Sequence, residues 1–431
     1  MKRLLLLIVP LLSAAAAKAA DSDTVYTIER CYELTENNYP LVKRYDLISL
    51  TEEYTLKNAY MHYFPQISLS GKASYQSEAL AFPFSVPGIE LPTFSKDQYN
   101  IMIELSQVIW DGGQIAAERR NIRAKSETDR REQEVDMYSL REKVNDLYFG
   151  ILLIDKQIRQ TEIILSDLSS EYGKVTESMA NGVANRSDLD MIEVEMITRR
   201  KGRTEMESML EAYMRMLSIL TGVKIDSPEM LTEPVPEGTD MKRLLTDIIV
   251  ADIRRPELDL YAAREKEIDT QWDYWTAKGL PKVQLFIRGG YGRPGLNMMD
   301  DTFQPFAIGG IQLVWNISEL YSLGYGKKII SYSKSQINTV RETFLFNTGM
   351  LSDEKITQIR KYFKIIEDDD RIVRLREQIL ESTRGEVENG TLSASDLIRE
   401  INKTELARME KIMHEIELMK SLYELKTIKN N

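Results

Sequence analysis

The sequence predicts a mainly α-helical protein with a small β part, in which long coiled-coil helical hairpins are combined with four β-strands. Three observations lead to this prediction: a duplicated set of landmarks, short segments of alternating apolar and polar residues, and long proline-free segments with a heptad repeat. Alternation with a period of two is typical of a half-buried strand. A sustained repeat of seven is typical of helices that pack along a seam.

The duplication is visible in two sets of landmarks. The frame NGxxxxSDL begins at Asn181 and again at Asn389, 208 positions later. Upstream, two prolines recur at a separation of 216, Pro40 as Pro256 and Pro65 as Pro281. The separation is 216 at both proline pairs and 208 at the later frame, so the first half has eight more residues than the second. Because both proline pairs keep the separation of 216, these extra residues lie in one loop downstream of Pro65. Two halves with the same order of landmarks indicate two copies of one structural unit.

These copies define the expected domain organisation. The first copy covers 20–222 with its tip near 181–188, and the second covers 241–431 with its tip near 389–396. Between them, residues 223–240 are rich in proline and glycine, which is typical of a linker.

Four segments are predicted to be strands. In the first, Ile67 and Leu69 alternate with Ser68 and Ser70, the pattern of a strand with one apolar face. The fourth segment is rich in glycine, so its prediction depends mainly on the repeat. The predicted strands are 66–77, 98–109, 282–293 and 304–315. The loops 80–97 and 294–303 join them in pairs, and the long first loop suits the outer face of a membrane barrel.

A long helix is predicted to lead to the first tip. No proline occurs from Gly113 to Met179, and apolar residues recur at spacings of four and three. About 65 helical residues at about 1.5 Å each would span about 100 Å. Such a length is not expected of an ordinary globular domain.

The first residues have the pattern of an export signal. Two basic residues precede the apolar run 4–12, and a stretch of small residues ends at Ala19. A short apolar core with these flanks is typical of a cleaved secretory signal rather than a membrane span. We therefore expect residues 1–19 to be a signal peptide.

Composition limits the classes of function. The formal net charge of −11 argues against a nucleic-acid partner. The single cysteine, Cys31, excludes an internal disulfide and a cage of several thiolates, so we expect an apolar packing role for it. After residue 19, no apolar run is long enough for a membrane helix. If the chain spans a membrane, it must do so with strands, and four strands in lipid must be shared between chains to avoid open edges.

In its motifs the chain resembles the TolC family of outer-membrane efflux and secretion ducts. The matching segments cover nearly all of the chain after residue 19 in the family's order: TIERCYELTENNYPLVK, YFPQISLSG, LSQVIWDGG, LSILTG and the paired tips NGVANRSDL and NGTLSASDL. The resemblance implies a homotrimer with a twelve-stranded barrel in the outer-membrane lipid of a Gram-negative bacterium and a helical tunnel in the periplasm. It also implies a periplasmic adaptor and an inner-membrane pump of the RND, ABC or MFS type, with no cofactor and no bound metal.

The resemblance extends to the helix tips. By the family pattern, Asp396 and Asp188 are expected to ring the narrow periplasmic end. The family pattern has a second acid three residues after the position of Asp396, where this chain has Arg399. It also has an arginine two residues past the second tip glycine, where this chain has Leu392. We therefore consider a rearranged pairing in which Arg186 or Arg399 binds one of the aspartates. The alternative for any of these charges is a solvated residue or a helix cap. The expected adaptor-docking residues are Asn181, Gly182, Val183, Asn389, Gly390 and Thr391.

Two other classes of function compete with a duct. An enzyme has little support, because only His62 and His414 are available and no HExxH, GxSxG or phosphate-cradling motif occurs. A periplasmic adaptor, or another coiled-coil structural protein of an export complex, explains the export signal and one hairpin. It gives no reason for two hairpins in tandem, each preceded by a strand pair. The sequence therefore favours a passive exit duct.

Overall fold

A computed structural model describes residues 25–79, 95–182, 185–234, 241–389 and 391–430. The predicted signal peptide, most of the loop 80–97, Val183 and Gly390 lie outside the described residues. The chain divides into two compact units. The sheet unit contains Glu36–Lys143, Asp240–Lys361 and Ser421–Asn431, and the tip unit contains Met1–Thr35, Val144–Thr239 and Tyr362–Lys420.

The described residues form nine α-helices and four β-strands. The helices are α1 (Ile28–Asn38), α2 (Lys43–Met61), α3 (Gln114–Tyr138), α4 (Leu140–Ala180), α5 (Arg186–Thr221), α6 (Met241–Val250), α7 (Pro256–Lys278), α8 (Glu319–Glu388) and α9 (Ala394–Lys429). The strands are β1 (Gln66–Tyr75), β2 (Asp97–Trp110), β3 (Lys282–Arg293) and β4 (Gln304–Val314). The predicted fold class, long helical hairpins with a small four-stranded β part, is confirmed.

The strands make one antiparallel sheet in the order β1-β2-β3-β4. In its register, Ile67 lies opposite Leu105, and Leu105 lies opposite Ile287. Residues directly opposite each other point to the same face of a sheet. In the described part of the chain, β1 and β4 each pair with one neighbour only, so both are edge strands.

The order of elements repeats along the chain. β3 begins at Lys282, 216 positions after β1 begins at Gln66. Past the strands, α9 begins at Ala394, 208 positions after α5 begins at Arg186. The compact units cut across this repeat, because each contains segments from both copies.

An Asp-Gly-Gly turn joins β2 to α3. The Asp111 carboxylate accepts hydrogen bonds from the backbone N–H groups of Gly113 (2.9 Å) and Ile115 (2.7 Å). This capping satisfies donors that the first turn of a helix leaves unpaired. Gly112 has φ +71°, and an added Cβ there would lie 2.6 Å from the Cβ of Leu280. The turn therefore requires glycine at this position.

In the sheet unit, α3 packs between α7 and α2. Towards α7, Ala117 and Ala124 are buried, and the Thr270 hydroxyl contacts the Asn121 amide oxygen at 3.1 Å. Towards α2, the Arg130 guanidinium donates to Glu52 at 2.6 Å. Asn121 and Arg130 are nine positions apart, about two and a half turns at 3.6 residues per turn, so the two contacts lie on opposite sides of α3.

The tip unit has an apolar core made by four helices. Its buried cluster draws on α4, α5, α8 and α9 and consists of Ile164, Leu168, Val175, Leu189, Ile192, Leu380, Ala394, Leu397 and Ile401. Elsewhere in the unit, α4 and α5 approach closely at Gly150, where a Cβ would lie 2.5 Å from the Tyr213 ring.

The predicted uninterrupted helix before the first tip is wrong in one detail. Helix α3 ends at Tyr138 and α4 begins at Leu140, with Ser139 between them. Ser139 keeps a right-handed helical conformation, with φ −61° and ψ −20°, and its hydroxyl donates to the Asp136 carbonyl at 2.7 Å. Serine competes with the backbone for such carbonyls, which accounts for the interruption.

Candidate functional site

Two regions carry the features that sequence analysis associated with function: the sheet and the pair of helix tips. One face of the sheet is apolar and exposed on all four strands. Its exposed members are Ile67, Leu69, Ile101, Ile103, Leu285, Ile287, Ile311 and Leu313. A continuous apolar surface of this kind marks contact with lipid or another protein.

Aromatic side chains lie at both ends of this face. At one end, Trp110 closes β2 and Trp315 follows β4, where the Trp315 indole N–H donates to the Gly279 carbonyl at 3.1 Å. At the other end, the Phe303 ring contacts those of Tyr291 (5.7 Å between centroids) and Tyr99 (6.1 Å). Aromatic girdles at both interfaces are a property of transmembrane barrels.

The opposite face is mixed in character. On it, the Arg288 guanidinium donates to Glu104 at 2.9 Å and lies 4.5 Å from the centre of the Phe286 ring. On the same face, the Phe306 ring packs closely over Gly290, where an added Cβ would lie 2.5 Å from the ring. Paired charge and small residues on this face contrast with the continuous aliphatic surface on the other.

The first tip is a short turn followed by a capped helix. Gly182 has φ +74°, the left-handed conformation that favours glycine. At the start of α5, the Asn185 N–H donates to the Asp188 carboxylate at 3.1 Å. Arg186 pairs with Asp190 at 3.2 Å. Among the ion pairs that the structure describes, none joins Arg186 to Asp188.

The second tip uses the same kind of cap with a different arginine. The Asp396 carboxylate accepts from the Ser393 hydroxyl (2.7 Å) and the Ser393 N–H (3.2 Å). Arg399 donates to the other carboxylate oxygen of Asp396 at 2.5 Å, so the suggested pairing with this arginine is present. The Ser393 hydrogen bonds, followed by Arg399, hold the pKa of Asp396 below its usual range.

The structure brings the two tips onto one core. Leu189, one residue after Asp188, and Leu397, one residue after Asp396, are both buried in the same apolar cluster. Around the second turn, the Thr391 N–H donates to the Glu386 carbonyl at 2.9 Å, while Asn389 is exposed. The roles of these residues and of Asn181 at a constriction or in adaptor docking stay predictions.

Sequence reasoning did not assign Ser393 to the site. The signal was present, because Ser or Thr followed three residues later by an acid is the pattern of a capping box. The sequence allows Asp396 to be a helix cap or a constriction acid, and its hydrogen bonds with Ser393 are those of a cap.

In the described ranges, no group of three or more His, Cys, Asp and Glu side chains is placed to hold a metal ion. No helix within the described ranges is long and apolar enough to cross a membrane.

Comparison with known proteins identifies the fold. No family model and no curated protein matches the sequence. Among solved structures, the outer-membrane channel OprN has a TM-score of 0.65 at 14% identity, covering 93% of this chain and 89% of that one. The Campylobacter jejuni CmeC outer-membrane channel gives 0.61 at 14% identity, covering 93% and 85%. The open state of the Neisseria gonorrhoeae MtrE outer-membrane channel gives 0.62 at 12% identity, covering 94% and 89%.

Proposed function

We propose that this chain, whose fold is that of the TolC-type outer-membrane channels, is one subunit of a passive exit duct in the outer membrane of a Gram-negative bacterium. The duct extends into the periplasm and serves a tripartite efflux or type I secretion system. The observation that carries the proposal is the sheet, which has two free edges, one exposed aliphatic face and aromatic girdles at both ends. The chain has no catalytic role in this proposal.

The free edges support a shared barrel. Backbone groups at an open edge cannot remain unpaired in lipid, so the β1 edge of one chain is expected to pair with the β4 edge of the next. One chain supplies four strands, and the smallest membrane barrels use about eight. We propose a homotrimer, which gives twelve.

The dimensions of the apolar face suit a bilayer. Tyr99 and Trp110 are the aromatic residues that bound the apolar face on β2, and they are eleven positions apart. At about 3.4 Å per residue this is about 37 Å of strand, and a tilt of about 40° reduces its height to about 28 Å. Transmembrane barrels have an apolar band of about 25 Å between their girdles. The apolar face is therefore proposed to meet lipid, and the face with Glu104 and Arg288 to line the pore.

The tips are proposed to form the periplasmic end. In a trimer, six capped helix starts would surround the axis, and the carboxylates of Asp188 and Asp396 would form an anionic constriction that attracts cations. A periplasmic adaptor, linked to an inner-membrane pump, would dock at the adjoining turns near Gly182 and Asn389. Support comes from the apolar cluster that both tips share, in which Leu189 and Leu397 are buried.

Mass measurement in mild detergent and surface labelling test the location and the assembly. The outer-membrane fraction should contain a trimer, and a cysteine replacing Asn297 in the β3–β4 loop should react with an impermeant maleimide on intact cells. A cysteine replacing Lys327 near the start of α8 is the matched control, because it faces the periplasm and should be protected. A well-folded monomer in the periplasmic fraction, or protection at position 297, would contradict the proposal.

A further inference from the structure

The face of the sheet opposite the aliphatic one differs between the two strand pairs. On β1 and β2 its members are mainly polar: Gln66, Ser68, Ser70, Lys72, Gln98, Asn100, Glu104 and Ser106. In the second copy, Phe286 stands 216 positions after Ser70, and Ile308 stands 208 positions after Asn100. Phe306 likewise replaces Gln98. A polar face is expected where barrel strands line a water-filled channel, so the second copy departs from that pattern.

Each of the two rings lies over a glycine of the neighbouring strand. Phe306 is opposite Gly290, where an added Cβ would lie 2.5 Å from the ring. Phe286 is opposite Gly310, where the corresponding distance is 3.2 Å. An aromatic side chain that covers a strand glycine stabilises the pairing of the strands. Both phenylalanines are nevertheless only half-buried, so the side of each ring away from its glycine is open.

A charged pair and an isoleucine lie between the two rings. Arg288 is opposite Ile308, which is 43% exposed. The Arg288 guanidinium lies 4.5 Å from the centre of the Phe286 ring and donates to Glu104 at 2.9 Å and 3.4 Å. Cover of a glycine does not explain Ile308, because its partner in the register is an arginine. The rings and the isoleucine therefore form an apolar surface beside a cation.

We propose that Phe286, Phe306, Ile308 and Arg288 form a contact site for aromatic organic anions on the wall of the duct, called here the aromatic site. The inference rests on the proposed function, in which this face of the sheet lines the pore. Aromatic rings attract one another in offset or edge-to-face contacts. A guanidinium has five N–H donors, and among the hydrogen bonds of the described residues the Nη1 of Arg288 donates to none. This donor is available to a sulfonate or carboxylate oxygen.

The register indicates the size of molecule that the aromatic site accepts. Phe286 and Gly290, which mark the rows of the two rings, are four positions apart on β3. This separation is about 13 Å of strand. One small planar molecule can therefore lie between the two rings, over Arg288 and Ile308.

The aromatic site is expected to bind weakly. Glu104 offsets much of the charge of Arg288, and the surface is open to the pore. Weak binding is what conduction requires, because a molecule that enters a pore must also leave it. In the proposed trimer, three aromatic sites would alternate around the lumen with the polar surfaces of β1 and β2.

Planar-bilayer recordings of the full-length assembly test the inference with naphthalenesulfonate as the probe. Methanesulfonate, which has the same head group and no ring, is the comparison at equal ionic strength. Naphthalenesulfonate should reduce the single-channel conductance at concentrations at which methanesulfonate has no effect, because only the former can contact the rings.

Variants of the apolar residues locate the block. Ile308→Ser and Phe286→Leu should each weaken block by naphthalenesulfonate by roughly two- to tenfold. Ile308→Ser leaves both rings in place, and Phe286→Leu keeps an apolar side chain over Gly310. The matched control is Asn100→Ser, the same new residue at the counterpart position of the first copy, and it should keep the wild-type block.

A double variant tests the role of the cation. Glu104→Gln/Arg288→Gln removes both charges and leaves neither partner unpaired. It should weaken block by naphthalenesulfonate and leave block by the neutral compound naphthol unchanged. Unchanged block by naphthalenesulfonate in this variant would overturn the assignment of Arg288.

Three results would overturn the aromatic site as a whole. They are equal block by methanesulfonate, unchanged block in both Ile308→Ser and Phe286→Leu, and an equal loss of block in Asn100→Ser. In each case, normal single-channel conductance would still support the duct. A chain that forms no channels would contradict the proposed duct and, with it, the aromatic site.

Discussion

The two helix tips share one frame and differ in where their arginine binds. In both, an aspartate at the third helical position accepts from the backbone N–H of the residue before the helix, at 3.1 Å for Asp188 and 3.2 Å for Asp396. In the second tip, Arg399 also donates to that aspartate. In the first, the arginine pairs with Asp190 instead.

Helix geometry explains this difference. Arg186 and Asp188 are two positions apart and do not face each other, whereas Asp190 is four positions away and lies on the same side of α5. Arg399 is three positions after Asp396 and is within reach. The copies therefore keep the cap and the buried leucine, which fix the backbone, and differ in the exposed charges around them.

The largest effect on stability is expected from the buried leucine that follows the capping aspartate in each tip. Leu397→Ala and Leu189→Ala should each lower the free energy of local opening at the tip by about 2–5 kcal/mol, because both side chains are buried in one cluster. Hydrogen exchange in α5 and α9 measures this opening. Leu392→Ala, at an exposed position, is the control and should have little effect. A large loss in only one of the two copies would contradict their structural equivalence.

Neutralising the tip aspartate should have a larger effect on the proposed constriction in the first copy than in the second. Asp188→Asn should weaken block by multivalent cations in planar bilayers by roughly fivefold. Asp396→Asn should weaken it less, because Arg399 already offsets part of the Asp396 charge. Arg399→Ala should strengthen the block and, if this arginine helps to hold the tips closed, raise the conductance. Unchanged block in both aspartate variants would remove these residues from the constriction.

The pH dependence of the second tip follows from the lowered pKa of Asp396. A carboxyl with a lowered folded pKa stabilises the folded tip above its unfolded pKa of about 3.9, and this contribution is lost as pH falls through the folded value. Ser393→Ala removes the first cause, so loss of block on acidification should begin at higher pH than in the wild type. Ser393→Thr, which keeps the hydroxyl, should behave like the wild type. Equal profiles for Ser393→Ala and the wild type would exclude the serine as the cause.

The smallest effect is expected at Arg186. Its side chain is 79% exposed and its pair with Asp190 is 3.2 Å long, and exposed ion pairs contribute about 0–1 kcal/mol. Arg186→Ala should change hydrogen exchange at the first tip by less than about 1 kcal/mol and leave conductance unchanged. A clear rise in conductance would instead assign a closing role to this arginine.

Much of the sheet could be predicted from the sequence, because a strand with one apolar face has a period of two. The exception was β4, where Gly309 and Gly310 hide the alternation. Its apolar face becomes clear only in register with β3, where Ile311 lies opposite Leu285. The interruption between α3 and α4 at Ser139 was not predictable from the sequence either, because a serine that keeps helical angles does not disturb the heptad pattern.

The tips were predictable in position but not in pairing. The repeated NG frame locates the turn before each helix, and Gly182 adopts the positive φ that such a turn requires. The partner of an arginine depends on which side of the helix each acid occupies, so the motif alone did not distinguish Asp188 from Asp190. The Ser393 cap could have been found from the spacing of Ser393 and Asp396.

The divergence of the tips has a consequence for how such a protein changes over evolutionary time. If every chain carried a single repeat, one substitution would alter all positions of a ring of tips at once. With two copies in one chain, a substitution alters only alternate positions, and the other copy keeps its original charges. The two tips differ in this way, because Arg399 is bound to Asp396 whereas no arginine is bound to Asp188 among the ion pairs that the structure describes. Duplication thus allows the two sets of tips to carry different charges.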